Sequence, residues 1–484
     1  MKYIYKIGSL VVIVLSIFSC EDVLVEDPPS NISLSSFYQS ETDALAGLYG
    51  AYSNIYGFYG TTTMQYGEMN ADDMTVSPLV SDNFSWDEFT YNSDVTGGIW
   101  SNGFSGINRA NEVIFYTDRI DFDPERKADL IAEAKALRAL YYFNLVRAMG
   151  GVPLYETPTI GFDAVMAPRA TEEQIYELVI RDLTDAATEL EGTNAAGRIG
   201  ADAANALLAR VYLYRGDYAN ALIHAKNVIN TQRYELFDDY ADAFTPENDN
   251  GIEHIFQVQY LTGERNSGIP GNFGPRAPSG PYAKSFWAGT VVGGSYAPSP
   301  EFVAENPTSY RRSVTLADSY EHIDGVTGTI TMEEVYGGTF PYYISKFDDR
   351  EAEFLSGLNF TVIRYADILL IAAEALNEES PADDDKYTWI NLVRERARNG
   401  VETDLPDLSG LTQDQFRTAV LEERRFELAF EGQRAWDLKR RSQFLTRLRA
   451  QGKNVEDYML LFPIPDTQRK LNTSLTQNLG WEVE

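Results

Sequence analysis

The segment 206–228 constrains the fold of this chain more than any other. Ala206-Leu207-Leu208-Ala209-Arg210-Val211-Tyr212 runs through Arg215-Gly216-Asp217 into Tyr218, Ala221, Ala225 and Val228. A Tyr, a Gly four residues on, an aromatic two later and an Ala three later is the spacing of a tetratricopeptide hairpin. The small alanines let two helices approach closely, and Gly216 permits the tight turn between them. One such hairpin cannot bury its apolar face alone, so partner hairpins are expected. The flanking sequence has the periodicity to provide them. Leu130, Ala134, Leu137, Tyr141, Leu145 and Ala148 fall on one face of a helix over 126–149. Gly150-Gly151-Val152-Pro153 stops it. Further helices are expected over 172–190, 362–377, 387–398 and 412–430. Between them, over 234–360, Gly and Pro become frequent, and strand-like pieces occur at 252–260 and 342–347. This is a loop-rich insertion, and loops on a rigid scaffold commonly carry binding.

The N-terminus is of a different kind. Lys2 and Lys6 precede an apolar run over 7–18, too short to span a bilayer, which needs roughly 20 residues. The pattern fits a secretory signal. It ends at Ile17-Phe18-Ser19-Cys20, and Cys20 is the only cysteine in the chain. A small residue before a Cys at that point looks like a bacterial lipoprotein cleavage site, with Cys20 as the acylated new N-terminus; a plain signal peptide with an incidental Cys is the alternative. Each buried methylene adds about 0.8 kcal/mol, so several acyl chains anchor stably. With a single cysteine no internal disulfide can form. The acidic, Pro-rich stretch Glu21-Asp22-Val23-Leu24-Val25-Glu26-Asp27-Pro28-Pro29-Ser30 reads as an extended tether. Acidic residues directly after such a Cys resemble the signal that exports lipoproteins to the outer face of the outer membrane. The expected organisation is therefore a signal peptide (1–19), the lipidated Cys and tether (20–40), and one domain (41–484). Within that domain the helical scaffold covers 41–233 and 361–445, the insertion 234–360 and a C-terminal segment 446–484.

Charge and motif content exclude several functions. The net charge of -32 repels phosphate backbones and anionic surfaces, so nucleic acid is not a partner. Glu423, Glu427 and Glu431 stand at four-residue spacing on one helix face, the most tempting catalytic feature. They interleave with Arg424, Arg425 and Arg434, which marks them as structural salt-bridge formers. His224, His254 and His322 stand in no metal-binding helical motif, and no thiolate pair exists for zinc. Asp383-Asp384-Asp385 lacks the spaced oxygen ligands of a calcium loop and reads as a solvated turn. Neither a Gly-rich phosphate loop nor a Gly-x-Ser-x-Gly elbow occurs. No catalytic residue, metal or cofactor is assigned, and an enzyme is not expected.

Several segments then align with one family. Glu133-Ala134-Lys135-Ala136-Leu137-Arg138-Ala139 leads to Tyr142-Phe143-Asn144-Leu145-Val146 and Gly150-Gly151-Val152-Pro153-Leu154. Arg364-Tyr365-Ala366-Asp367-Ile368-Leu369-Leu370 and Ile390-Asn391-Leu392-Val393-Arg394-Glu395-Arg396-Ala397 follow. Glu423-Arg424-Arg425-Phe426-Glu427-Leu428-Ala429-Phe430-Glu431-Gly432-Gln433-Arg434, Trp436-Asp437-Leu438, Leu461-Phe462-Pro463-Ile464-Pro465 and Gln477-Asn478-Leu479-Gly480-Trp481 complete the set. In order and spacing the chain resembles the SusD/RagB family of outer-membrane nutrient-binding lipoproteins. Leu479 departs from the Pro usual in the family's terminal motif. The resemblance implies a mainly α fold: four tetratricopeptide-like helical pairs with a loop-rich, partly β ligand-binding region. It also implies a lid on a SusC-like TonB-dependent transporter that captures oligosaccharides outside the cell and passes them to the barrel. RagB-like relatives leave open a peptide-binding or purely gating subunit.

Sugar capture needs flat apolar faces for pyranose C–H groups and polar groups for hydroxyls. Phe286 and Trp287 lie in a Gly-rich stretch with Tyr282 and Tyr296, and Trp86 and Tyr91 lie in an Asn/Asp/Ser-rich one. Asn70, Asp72 and Asp73 are candidate hydrogen-bonding partners. For the two tryptophans, packing beneath a loop is the competing expectation. Trp100 falls at a helix start resembling the family's and is expected in the core. The acidic balance favours a neutral glycan, although Arg265, Arg276 and Lys284 could form a local basic patch.

Overall fold

The computed structural model describes residues 34–77, 84–161, 166–275, 294–323, 326–338, 340–349 and 356–481. Its frame is a run of eight helices: α1 (Glu41–Tyr52), α2 (Gly97–Thr117), α3 (Pro124–Met149), α4 (Glu172–Glu189), α5 (Ala201–Arg215), α6 (Tyr218–Ile229), α7 (Tyr365–Glu379) and α8 (Asp385–Arg398). Each packs on the next, giving four successive helical pairs. The order is unbroken from α6 to α7, although the whole insertion separates them in sequence. The fold is mainly α, as the periodicity of the sequence leads one to expect.

Local chemistry explains where the helices start and stop. Asp123 caps α3 by accepting from the Arg126 amide, and Pro124 at the first turn has no N–H to leave unpaired. The helix ends at Gly150 (φ 70°), whose N–H reaches Val146 O. Thr171 and Gln174 form a capping box on α4. Gly216 sits in the left-handed region (φ 71°) between α5 and α6, and Asp217 caps α6 from its side chain. The inward face of α3, including Leu130, Leu137, Tyr141 and Leu145, is fully buried.

Two expected helices are shortened. The expected helix 362–377 begins only at Tyr365, because Phe360–Arg364 forms a strand, β4, buried at nearly every position. It pairs antiparallel with β2 (His254–Val258), so the two ends of the insertion are hydrogen-bonded together. The helix expected over 412–430 is α9 (Gln413–Glu427); Phe430 (φ 63°) and Gly432 (φ 78°) adopt left-handed backbone and break it. A further short helix, α10 (Arg434–Arg440), follows. The strand-like pieces 252–260 and 342–347 shrink to β2 and to Tyr343–Ile344. The latter pairs with Leu316–Ala317, and Ser319–Glu321 pairs with Thr329–Thr331. The remaining pair, β1 (Met74–Val76) with β3 (Tyr296–Pro298), ties the N-terminal part to the insertion.

The acidic row is structural. Arg364 Nη1 donates to Glu253 and Glu427, both at 2.7 Å, and Arg364 Nε donates to Glu431 at 2.9 Å. Arg396 bridges Glu253 and Glu427, Arg311 bridges Glu423 and Glu427, and Lys346 Nζ donates to Glu431 at 2.7 Å. Glu431 lies beyond the end of α9, so it meets these cations through the turn and not through a shared helix face. Burial alone pushes Glu427 up, but Arg396, Arg364 and Arg311 outweigh it and hold its carboxyl well below the ordinary range.

Candidate functional site

One edge of the molecule is organised by β1 and β3. Val76 faces Tyr296, and the Ser77 amide donates to Ser295 O at 3.0 Å. Because the pair is antiparallel, the chain leaves β1 towards 78–83 and enters β3 from 276–293 at the same end of the ladder. Gly294 N donates to Gly271 O at 2.8 Å, which fixes that end against the short helix Ile269–Phe273. Beside it the short helix Thr61–Met64 widens into a single π turn over Gln65–Met69, a feature often found at functional sites.

Beneath this edge lies a floor of buried charge. Arg434 holds Asp72 through two bonds, Nε–Oδ1 at 2.6 Å and Nη2–Oδ2 at 2.8 Å, and Arg447 Nε adds a third at 2.7 Å. Arg425 Nε donates to Asp73 Oδ1 at 2.6 Å. Glu68 Oε1 accepts from the amides of Gly432 and Gln433. Burial works against Asp72, yet Arg434, Arg425 and Arg447 prevail and lower it. Burial, with Asp72 beside it, pushes Asp73 up to about 6 despite Arg425 and Arg434. Burial and the Asp73 charge raise Glu68 well above a normal glutamate.

This arrangement corrects the expected placement of six candidate residues. Asn70, Asp72 and Asp73 are buried: the two aspartates are engaged by arginines, and Asn70 Oδ1 accepts from the Tyr91 hydroxyl at 3.2 Å. Trp86 is 6% exposed and packs edge-on to Tyr66 at 4.9 Å and to Phe462. Tyr91 is stacked on Trp481 at 5.7 Å. Tyr296 is buried in β3 against Phe273. Each lies in a polar or Gly-rich sequence neighbourhood, but its covering comes from residues far along the chain. Their rings and carboxylates present no open face to a ligand. Tyr282, Phe286, Trp287 and the anchor candidate Cys20 lie outside the described residues. Trp100 is in the core as expected, and it also lines a cavity of about 220 Å³ with Phe104, Tyr155, Met166, Leu471 and Leu475.

Sequence inspection named Arg265 only as part of a possible basic patch and missed its aromatic partners. Arg265 is exposed, with its guanidinium carbon 4.2 Å from the centre of the Tyr56 ring. Tyr260 meets that ring edge-on at 5.4 Å. Besides Arg265 itself, the sequence offers the aromatic–glycine alternation Tyr56-Gly57-Phe58-Tyr59-Gly60, which marks a tight aromatic turn without marking its partner. Among the described residues no helix is long and apolar enough to cross a membrane, and no cluster of three or more acidic, His or Cys side chains could hold a metal ion.

Comparison with known proteins agrees with this architecture. Residues 26–213 match a family described as "Starch-binding associating with outer membrane", and residues 338–481 match the SusD family. SusD-like protein P2 of Formosa agariphila is 30% identical over 470 residues, covering 90% of each chain. A SusD superfamily protein from Parabacteroides distasonis superposes with a TM-score of 0.79 at 26% identity, covering 91% of this chain and 99% of that one. A laminarin-binding SusD-like protein gives 0.77 at 26% identity, covering 92% and 100%.

Proposed function

The chain belongs to the SusD family, and on that premise we propose that it captures oligosaccharides at the cell surface and delivers them to a SusC-like TonB-dependent transporter. SusD-like proteins bind carbohydrate and do not turn it over. The observation that carries the reading is the match, across nearly the whole chain, to a laminarin-binding relative. The acidic balance favours a neutral glycan, since a polyanion meets repulsion from a surface of this sign. Cys20 anchors the protein in the outer membrane, with the acidic tether holding it on the exterior.

Ligand contact falls to the segment that carries Trp287. Gly280, Gly289, Gly293 and Gly294 around it have no side chains to bury an indole locally, and Pro281 argues against a helix that needs Trp in its core. Covering half of such a face is worth on the order of 1–2 kcal/mol. Calorimetry of the mature protein on neutral hexasaccharides, laminarihexaose among them, tests the function. Binding to at least one is expected, and Trp287→Ala should weaken it by about ten-fold with little change in melting temperature. Binding to a peptide library and to no glycan would overturn the proposal in favour of a peptide-binding subunit.

A further inference from the structure

We infer that Arg265, seated over the Tyr56 ring beside Tyr260, is a sugar-contacting residue that donates to neighbouring hydroxyls of a neutral glycan. This rests on the glycan-capture reading and adds to it a contact outside the Trp287 segment. The first observation is that the guanidinium is unused. The structure is rich in arginines, and most of those around the site are locked to carboxylates, as Arg425, Arg434 and Arg447 are. Arg265 is exposed, and among the described residues its side chain has no ion pair and no hydrogen bond; its one partner is the Tyr56 ring at 4.2 Å. The ring attracts the cation, and the planar fork of N–H donors keeps its hydrogen-bonding capacity unused by the described residues.

The second observation is that the platform is preorganised. Residues 261–265 form a tight turn: the Leu261 amide donates to Arg265 O at 2.8 Å, and the Arg265 amide returns a bond to Leu261 O at 2.9 Å. Gly263 (φ 79°) makes the turn possible, and Asn266 Oδ1 accepts from its amide. Both tyrosine hydroxyls fix backbone, Tyr56 to Gln259 O at 2.8 Å and Tyr260 to Tyr59 O at 2.9 Å. The rings therefore cannot swing away, and little side-chain freedom remains to be lost on binding. The third is continuity with the edge organised by β1 and β3. Tyr59 runs through Gly60 into Thr61, whose hydroxyl accepts from the Asn272 amide, and Gly271 beside Asn272 accepts from Gly294. Sugar chemistry suits these groups. A planar fork of donors matches neighbouring hydroxyls, and the weakly hydrated guanidinium face accepts pyranose C–H groups as an aromatic face does. Exposed Glu264 next to Arg265, together with the net charge of -32, disfavours a carboxylated or sulfated sugar at this position.

The test is calorimetry of wild type, Arg265→Ala and Arg265→Lys on the same neutral hexasaccharides, with a uronic-acid polymer in parallel and a melting curve for each variant. Wild-type binding insensitive to salt, and about ten-fold weaker in both variants with unchanged melting temperature, is the expected result. Arg265→Lys keeps the charge but not the flat fork, so wild-type affinity in that variant overturns the inference while leaving glycan capture intact. Unchanged affinity in Arg265→Ala does the same. Binding only to the uronic-acid polymer, in a salt-sensitive manner, overturns the neutral-sugar assignment. A wild-type protein that binds none of these sugars overturns both the inference and the reading on which it rests.

Discussion

Lys439 in α10 carries the least compensated charge among the described residues. Its stem is partly exposed, but its Nζ is buried without a hydrogen-bond partner, facing the rings of Trp436, Phe444 and Phe462 at 5.2, 4.8 and 4.6 Å. Burial pulls it down from 10.5 to about 7. The unfolded lysine therefore holds a proton between those values that the folded one has released. Stability should rise with pH across that window and carry the full cost below it. Lys439→Met keeps the packing and removes the charge. At pH 6 it should gain about 1–3 kcal/mol, the usual cost of an unsatisfied buried group. It should also flatten the rise between neutral and alkaline pH in urea unfolding. Loss of stability at pH 6 would mean that the three rings hold the ammonium more strongly than water does. Such features are hard to read from sequence. Asp72 and Asp73 looked like loop polar residues because their arginine partners stand 362 and 352 positions away. Trp86 and Tyr91 were ambiguous for the same reason, since Phe462 and Trp481 cover them.

Helices were far more legible, because their signals are local. The 126–149 and 172–190 spans were found to within two residues, since caps and periodicity lie inside the span itself. The errors at 362–364 and 428–430 arose where tertiary pairing and left-handed backbone overrode helical spacing. Two glycines separate the contributions of backbone and packing. Gly216 closes the central hairpin at φ 71°, and a Cβ there would meet nothing within 4 Å. Gly216→Ala should cost only the left-handed strain, about 1 kcal/mol. Gly67, in the π turn, has ordinary backbone, but its Cβ would stand 2.2 Å from Gly432 O. That contact is backbone against backbone, so Gly67→Ala should cost more, about 3 kcal/mol. Guanidinium unfolding of the two variants decides this; an equal or reversed order would show that the π turn yields easily.

Across the whole molecule, residues 38–41 and the C-terminal segment lie towards opposite ends of α2. Tyr38 stacks on Tyr116 at 5.1 Å and Arg126 pairs with Glu41, so the described N-terminal residues lie where α2 ends and α3 begins. The start of α2 lies against the C-terminal segment, where Thr96 Oγ1 donates to Pro463 O. A helix of 21 residues separates the two ends by about 30 Å. Cys20→Ala should leave a folded, soluble protein in the supernatant of fractionated cells. Retention of that variant in the outer membrane in cells lacking the transporter would show a second attachment. The position of the insertion has a consequence for how it can be replaced. Its two ends are zipped together by β2 and β4, so the intervening chain is a cassette that leaves and re-enters the helical frame at one place, held to it in addition by the β1–β3 pair. Replacing it has one condition. Arg311 and Lys346 belong to the cassette, whereas Glu423, Glu427 and Glu431 belong to the frame. A graft that does not bring its own cations to those two places leaves three buried carboxylates short of partners. Any replacement of the insertion in this chain therefore has to keep a positive charge at each of those two places.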